Sequence, residues 1–233
     1  MDLSLLTDLN AERQARRAAL VLTDTRTGAQ RLIKASALAD DPQAEALAAF
    51  LRSGKSGTID LDGQTLFVTV HNPPVRLVLI GAVHISQALA PMARIAGLDV
   101  TVIDPRTAFA SPERFAGVTV LAEWPDEVLA RQALDAHTAV ALLTHDPKID
   151  DQALMGALQA ECFYIGALGS RKTHAARRSR MQAQGFDEAA LARIHAPIGL
   201  DIGAVSPPEI AASVLGEIIL ALRKKPLRLE ATT

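Results

Sequence analysis

The chain has 233 residues, a formal net charge of −2 and 49% hydrophobic residues, while aromatic residues make up only 3%. This length suits one medium domain with a smaller one, and an aliphatic core favours helices packed on a sheet. The small net charge and the scarcity of aromatic residues give no reason to expect a nucleic-acid partner. The sequence has neither a signal-peptide pattern nor the roughly 20 consecutive apolar residues that cross a membrane, so we expect a cytoplasmic protein without a membrane partner.

Residues 1–72 predict a small α/β domain, which ends at the proline-containing run 71–74. The dipeptide Asp62-Gly63 lies between two alternating segments and is typical of a β-hairpin turn. Asp40 or Asp41 is a suitable cap for the second helix. Helices are predicted at residues 7–17 and 41–52, and strands at residues 19–24, 30–34, 57–61 and 64–70.

Residues 73–233 predict a second domain in which strands and helices alternate. The run 76–80 is almost entirely apolar, as in a strand that is buried on both faces. Such alternation is typical of a doubly wound parallel sheet, so the predicted fold class is α/β with a Rossmann-like sheet. Strands are predicted at residues 76–80, 99–104, 118–122, 138–143 and 163–168, and helices at residues 85–96, 125–134, 150–159, 170–184 and 208–224.

The loop after the first strand of this sheet is the first candidate for ligand binding, because ligands bind beyond the carboxyl ends of parallel strands. It keeps Gly81 of the dinucleotide-binding glycine pattern, whereas Val83 and Ser86 replace the other two glycines. Ser86 can cap the next helix and offer its hydroxyl to an anion. His84 is either a ligand contact or a hydrogen-bonded structural residue. Dinucleotide binding and a turn that binds nothing both stay open.

Polar residues also follow the second and fourth strands of this sheet. Asp104 lies about 20 residues beyond the glycine, the spacing of an acid that binds a ribose hydroxyl, and the alternative is a solvated loop acid. Arg106 is either a phosphate contact or a surface charge. His145 and Asp146 can bind a polar ligand or orient a water molecule. The alternative is that Asp146 caps the next helix and that His145 is an exposed residue without a ligand role.

The fifth strand is followed by Gly169, Ser170, Arg171 and Lys172, with Ser170 at the expected helix N-cap. Backbone amides and the helix dipole make such a helix start an anion site, and arginine pairs well with phosphate. We therefore predict phosphate binding here, with a solvated basic helix face as the alternative. Asp201 lies in a glycine-containing run near the last helix and is a further candidate contact, with simple helix packing as the alternative.

The sequence contains no pattern that indicates catalysis, since the Gly-x-Ser-x-Gly, Walker and His-Glu-x-x-His motifs are all missing from it. We accordingly predict no catalytic residues. The single cysteine, Cys162, can form neither an internal disulfide nor a Cys-rich zinc site, and no metal ligands are predicted. Its position in or beside a buried strand favours an inert core thiol over a sulfur carrier.

Five runs of the second domain carry a family resemblance: residues 81–84, 102–104, 144–146, 164–171 and 194–203. Taken in order, they resemble the C-terminal domain of the xanthine dehydrogenase accessory proteins, the XdhC/CoxI family. The resemblance implies a carrier of the molybdenum cofactor, molybdopterin or its dinucleotide, more than a catalyst. Such a carrier assists sulfuration of the cofactor with a cysteine desulfurase and passes it to an apo molybdenum hydroxylase, such as xanthine or carbon monoxide dehydrogenase. The resemblance also implies a homodimer.

Two features depart from the family pattern: the loop at residues 81–86, where the family usually has Gly-Ala-Gly-His-Val-Gly, and the short first domain. Two alternatives to the carrier are an NAD(P)-dependent oxidoreductase, which Asp104 supports, and a non-catalytic docking protein that has lost its ligand. For the carrier, we assign the cofactor phosphate to residues 170–172. The predicted cofactor-binding residues are Gly81, His84, Asp104, His145, Asp146, Gly169, Ser170, Arg171, Lys172 and Asp201.

Overall fold

The computed structural model describes residues 2–61 and 63–224. The chain forms two compact units, of which the first contains the residues up to Pro73 and the second runs from Pro74 to Leu222. The domain limits 1–72 and 73–233 stay a prediction, and residues 225–233 of the second lie outside the described part. No helix within the described ranges combines the length and apolar composition that crossing a membrane requires.

The first unit is built on a four-stranded antiparallel sheet with the strand order β2-β1-β4-β3. The predicted hairpin between β3 and β4 is confirmed by the pairing of Leu61 with Gln64, although Asp62 itself lies outside the described residues. The unit contains the helices α1 (Leu3–Gln14) and α2 (Ala44–Ser53), and the strands β1 (Ala19–Asp24), β2 (Gln30–Lys34), β3 (Gly57–Leu61) and β4 (Gln64–His71).

Two predictions for the first unit are wrong in detail. Helix α1 begins at Leu3, four residues before the predicted start at residue 7, and its cap is Asp2, whose carboxylate accepts from the Ser4 amide. Helix α2 begins only after a 3-10 helix at Ala35–Asp40, so neither Asp40 nor Asp41 caps it. The Asp41 carboxylate is instead bound by the Gln43 amide at 2.9 Å and pairs with an arginine of β2.

The second unit contains a six-stranded parallel sheet with the order β7-β6-β5-β8-β9-β10. This order is that of a Rossmann fold, so the predicted fold class is confirmed. The strands are β5 (Arg76–Ile80), β6 (Asp99–Ile103), β7 (Thr119–Leu121), β8 (Thr138–Leu142), β9 (Tyr164–Ala167) and β10 (Ile194–His195). The helices are α3 (His84–Ile95), α4 (Pro125–Arg131), α5 (Pro147–Gln159), α6 (Arg171–Ala183), α7 (Glu188–Leu191) and α8 (Pro207–Lys224).

Helices cover both faces of the parallel sheet, which explains why its central strand is apolar throughout. Successive side chains of a strand point to opposite faces. In β5, Leu77 and Leu79 belong to a core shared with α3 and α8. Val78 and Ile80 belong to the opposite core, which is shared with α5 and α6. The sheet therefore lies between two packed cores, and these fix the position of its carboxyl edge.

The short elements of the second unit are those that the sequence did not predict. Strand β10 has two residues and α7 has four, too few for a periodic pattern to develop. The start of α5 is also corrected from residue 150 to Pro147. Proline is favoured in the first turn of a helix because its missing amide would have no helical partner there.

Candidate carboxyl-edge site

The exits of β5 and β8 lie side by side at the switch point of the strand order, where Rossmann folds bind ligands. Gly81 has a φ of +112°, and a Cβ there would lie 2.7 Å from Thr144 Cγ2 and 3.3 Å from the Thr144 amide nitrogen. Both the backbone angle and the lack of space require glycine at this position. The two loops are therefore in direct contact.

In the first turn of α3, which follows the loop after β5, Ser86 is buried and His84 is exposed. Ser86 is fully buried, and its hydroxyl donates to the carbonyl of Gly81. The predicted role of Ser86 as helix cap and anion contact is therefore wrong, because its one hydroxyl proton is used inside the protein. The N-cap of α3 is Val83, which makes no side-chain capping bond. His84 is exposed at the first position of the helix.

The buried carboxylate of Asp104 connects the exit of β6 to that of β5. Its Oδ2 accepts from the Ala82 amide at 2.8 Å and from Arg106 Nη2 at 2.7 Å, and its Oδ1 accepts from Arg106 Nε at 2.9 Å. Burial opposes ionisation, but these hydrogen bonds prevail and the pKa of the carboxyl lies below its ordinary value. Asp104 has no exposed surface, so it can act on a ligand only through Arg106.

The loop after β8 is organised by Thr144 and capped by Asp146. Thr144 Oγ1 donates to Asp150 Oδ1 at 2.6 Å and accepts from the Asp146 amide at 3.0 Å. Asp146 accepts from the Lys148 amide at 2.9 Å as the N-cap of α5. His145 is exposed, with a φ of +61° that only a few per cent of non-glycine residues adopt. The structure thus confirms the capping alternative for Asp146, and the ligand roles of both residues stay predictions.

A buried ion pair, Asp150 with Arg177, joins the exits of β8 and β9. Asp150 Oδ2 lies 4.0 Å from Arg177 Nη2, and both side chains are 2% exposed. Arg177 Nη2 also donates to the carbonyl of Leu168, directly before Gly169. Among the described residues, Asp150 Oδ2, Arg177 Nε and Arg177 Nη1 have no hydrogen-bond partner. Burial raises the pKa of Asp150 and lowers that of Arg177.

The loop after β9 leads to the exposed start of α6. Ser170 is the N-cap and accepts from the Thr173 amide at 3.2 Å, as predicted. Gly169 has a φ of +136°, a backbone angle that favours glycine. The side chains of Arg171 and Lys172 are exposed. The other first-turn amides of a helix lack helical partners, so this end of α6 has the properties of an anion site.

The run that contains Asp201 is attached to α8 by the Glu217 carboxylate and by a hydrogen bond from the Leu200 amide to the Ser213 carbonyl. Glu217 accepts from Tyr164 Oη at 2.6 Å and from the Gly199 amide at 2.8 Å, and its other oxygen lies 2.9 Å from His195 Nδ1. Burial raises the pKa of Glu217, but these partners outweigh it and the pKa is lowered. Helix packing therefore explains residues 195–199. Asp201 itself is exposed, and its ligand role stays a prediction.

Cys162 has the properties of an inert core thiol. Cys162 is 2% exposed, and burial raises the pKa of its thiol to about 12. Such a thiol is a poor nucleophile at neutral pH, in agreement with the predicted core role. Within the described part of the chain, no three His, Cys, Asp or Glu residues are grouped closely enough to hold a metal ion.

Comparison with known proteins gives the family directly, because the XdhC Rossmann domain matches residues 77–218. This chain belongs to the XdhC family. The uncharacterized protein YqeB of Escherichia coli is 35% identical over 162 residues, which are 70% of this chain and 30% of YqeB. PaoD, the molybdenum cofactor insertion chaperone of the same organism, is 32% identical over 178 residues, which are 76% of this chain and 48% of PaoD.

The chain spans less than half the length of these two relatives. The crystal structure of a xanthine dehydrogenase from Bacillus halodurans superimposes with a TM-score of 0.65 over 97% of this chain and 66% of that one. At 21% identity, this likeness shows the fold. The predicted membership of the XdhC family is therefore confirmed, and so is the Rossmann-like sheet.

In this XdhC domain, the predicted residue Gly81 lies against Thr144, and the predicted residue Asp104 accepts from the Ala82 amide. The other predicted residues lie at loops of the same edge or, for Asp201, beyond β10. The buried pair Asp150 and Arg177 was not predicted. A signal for Arg177 exists in the sequence, since it lies one helical turn before the apolar Met181 and shares its face of α6. Within a run of basic residues, that inward position is easily overlooked.

Proposed function

We propose that this XdhC domain binds the molybdenum cofactor at the carboxyl edge of its parallel sheet and serves maturation of a molybdenum hydroxylase. The observation that carries the proposal is the exposed start of α6, where Ser170 caps the helix and Arg171 and Lys172 face solvent. The cofactor has a terminal phosphate, and this donor set suits a phosphate. The 32% identity to PaoD, a molybdenum cofactor insertion chaperone, supports the proposal.

The residues present also suit a carrier better than a hydride-transfer enzyme. The Asp104 oxygens are taken by Arg106 and the Ala82 amide, so this acid is not open to a ribose diol. Val83 stands where the dinucleotide pattern has its second glycine, at which the backbone closely approaches a pyrophosphate. Bound at this edge, the cofactor would supply the redox chemistry of the client enzyme, and the protein would hold and release it.

The partners of this carrier follow from the same proposal. An apo molybdenum hydroxylase receives the cofactor, a cysteine desulfurase supplies sulfur to it, and a second copy of this chain forms a homodimer. Incubation of the tagged protein with each purified partner, followed by size-exclusion chromatography, tests these associations one at a time. Co-elution of the apoenzyme is the result that the carrier function requires.

Cofactor retention tests the proposal itself. The purified protein is mixed anaerobically with molybdenum cofactor and desalted, and molybdenum and the fluorescence of the oxidised pterin are measured per chain. We expect near-stoichiometric retention by the wild type and a loss of about ten-fold or more in the double variant Arg171→Ala, Lys172→Ala, because charge-assisted phosphate contacts are removed. Arg94→Ala is the matched control, since Arg94 is exposed in the last turn of α3, at the other end of the strands.

The outcomes separate the function from the assignment of the phosphate. A folded wild-type protein that retains no cofactor would contradict the carrier. Retention that the double variant leaves unchanged would place the phosphate away from α6 while supporting the carrier. A parallel calorimetric titration of the protein with NADH should show no saturable binding. A dissociation constant in the micromolar range would favour the nicotinamide alternative.

A further inference from the structure

Phe109, on the loop that follows β6, is an exposed aromatic residue in a chain with few aromatics. Its side chain is 43% exposed. The guanidinium carbon of Arg106 lies 4.6 Å from the centre of the Phe109 ring, and that of Arg114 lies 5.7 Å from it. Both distances are within the range of cation–π attraction. The ring is therefore held by two cations and still has surface open to solvent.

Both arginines are themselves held in place by the protein. Arg106 is fixed by two hydrogen bonds from its Nε and Nη2 to the buried Asp104. Arg114 Nη1 donates to the carbonyls of Phe109, at 2.7 Å, and of Ala82, at 3.0 Å. Since Ala82 belongs to the loop after β5, these bonds attach the Phe109 segment to the predicted ligand loop. Groups that are ordered before binding lose little entropy when a ligand arrives.

The position of Arg106 relates this cluster to the switch point of the sheet. The hydrogen bond to Asp104 raises the pKa of Arg106, and the charges of Asp146 and Asp150 raise it further. Those two acids belong to the exit of β8 and the first turn of α5. Arg106 donates to the same Asp104 oxygen as the Ala82 amide, so its guanidinium lies beside the loop after β5, at the carboxyl edge of the sheet.

The chemistry of this cluster suits a flat ring. The Nε and Nη2 edge of Arg106 is occupied by Asp104, so what the guanidinium can offer a ligand is mainly its planar face. Arginine and phenylalanine both stack on nitrogen heterocycles, and such stacking tolerates many ring types because every ring has a π-face. Asp104, the residue that would otherwise bind a ribose, is here the support of the stacking group.

We propose that Arg106 and Phe109 form a stacking platform for the planar nitrogen heterocycle of the ligand, either a nucleobase or a pterin ring. This proposal deepens the proposed function and rests on it, because it assigns a place at the same edge to the ring of a ligand whose phosphate binds at α6. The platform recognises the ring by its face and does not depend on the pattern of donors and acceptors along its edge.

Calorimetric titration with separate small probes tests the platform. Cytidine monophosphate, adenosine monophosphate and neopterin monophosphate are each titrated into the wild type, Phe109→Leu and Phe109→Tyr. We expect Phe109→Leu to weaken the best probe about ten-fold, because stacking on an aromatic side chain is lost, and Phe109→Tyr to stay within about two-fold. Phe67→Leu is the matched control, since Phe67 is 42% exposed on strand β4 of the first unit.

Each outcome supports or overturns the platform. If Phe109→Leu weakens the binding of neopterin monophosphate most, the ring is identified as a pterin. If it weakens the binding of one nucleotide most, the ring is identified as a nucleobase. Absence of binding of all three probes to the folded wild type overturns the platform, as does an equal effect of Phe109→Leu and Phe67→Leu. If Phe109-dependent binding is found but the molybdenum cofactor is not retained, the platform stands and the proposed function falls. The reverse result, retention that Phe109→Leu does not change, overturns the platform alone.

Discussion

Asp104 and Asp150 are two buried carboxylates at the same edge of the parallel sheet, and each has an arginine nearby. Asp104 receives three hydrogen bonds from Arg106, one of them from its backbone amide, and a fourth from the Ala82 amide, and its pKa is lowered. Asp150 lies 4.0 Å from Arg177, its Oδ2 lacks a hydrogen-bond partner among the described residues, and its pKa is raised by burial. The same two residue types thus form a complete pair at one strand exit and an incomplete pair at another.

The difference shows that geometry, not residue type, decides what a buried ion pair contributes. The Asp104 pair is closed within one loop, because Arg106 follows two residues later and remains partly exposed to water. The Asp150 pair joins two helices, and burial removes both partners from water without complete hydrogen bonding in return. Desolvation can exceed the attraction between charges in such a pair. We expect the first pair to support Arg106 and the second to connect the loops after β8 and β9.

The largest expected effect is that of removing the cation from the incomplete pair. Arg177→Met leaves the Asp150 carboxylate buried without a counter-charge, so the free energy of unfolding should fall by about 3–5 kcal/mol at neutral pH. Arg178→Met is the control, because Arg178 is partly exposed and pairs with Glu188 at the surface. Its effect should stay below about 1 kcal/mol. Urea denaturation measures both values, and equal effects of the two variants would show that the Arg177 pair is not a distinct buried interaction.

An intermediate effect is expected at the complete pair. Asp104→Asn removes the charge from the bonds with Arg106 and should lower the free energy of unfolding by about 2 kcal/mol at neutral pH. Because the pKa of Asp104 is lowered from 3.8 by folding, its contribution is full above that value and is lost as the pH falls through the folded pKa. The difference between wild type and variant, measured by urea denaturation at several pH values, should therefore shrink in acid. A constant difference would contradict the lowered pKa.

The smallest expected effect is that of removing both charges of the incomplete pair. The double variant Asp150→Asn, Arg177→Met keeps an acceptor for Thr144 and leaves no buried charge without a counter-charge, so the net change in the free energy of unfolding should be within about 1 kcal/mol. Folding raises the pKa of Asp150 above 3.8, so the wild type loses stability relative to the variant as the pH rises through the folded pKa. The pH dependence should have the opposite sign to that of Asp104→Asn. If the stability difference between wild type and variant changed with pH in the same direction for the Asp104 and Asp150 changes, the two pairs would not be distinct.

Local patterns in the sequence predicted those parts of the fold that depend on neighbouring residues. The apolar run at residues 76–80 gave the central strand with its correct limits, because a strand buried on both faces needs no polar alternation. Ser170 was predicted as the cap of α6 because serine followed by a helical segment is a local signal. The hairpin of β3 and β4 followed from the turn dipeptide in the same way.

The candidate site was predicted less completely, because its contacts are made between segments that are distant in the sequence. Asp104 was expected to face a ligand, whereas the structure turns it inward to Arg106 and the Ala82 amide. Ser86 was a candidate to offer a hydroxyl to an anion, whereas it donates to the carbonyl of Gly81. A sequence gives the polarity of such residues but not the direction in which the fold points them.

The sequence by itself determined the alternation of strands and helices, the family and the exits at which polar residues gather, since periodicity, caps and motifs are local properties. Only the tertiary structure decided which exits adjoin one another, because the strand order places β5 between β6 and β8. That order brings Gly81 against Thr144 and Asp104 against Ala82. The packing of α5 against α6 likewise decided that one buried carboxylate is fully paired and the other is not, since pairing depends on distances that no local pattern encodes.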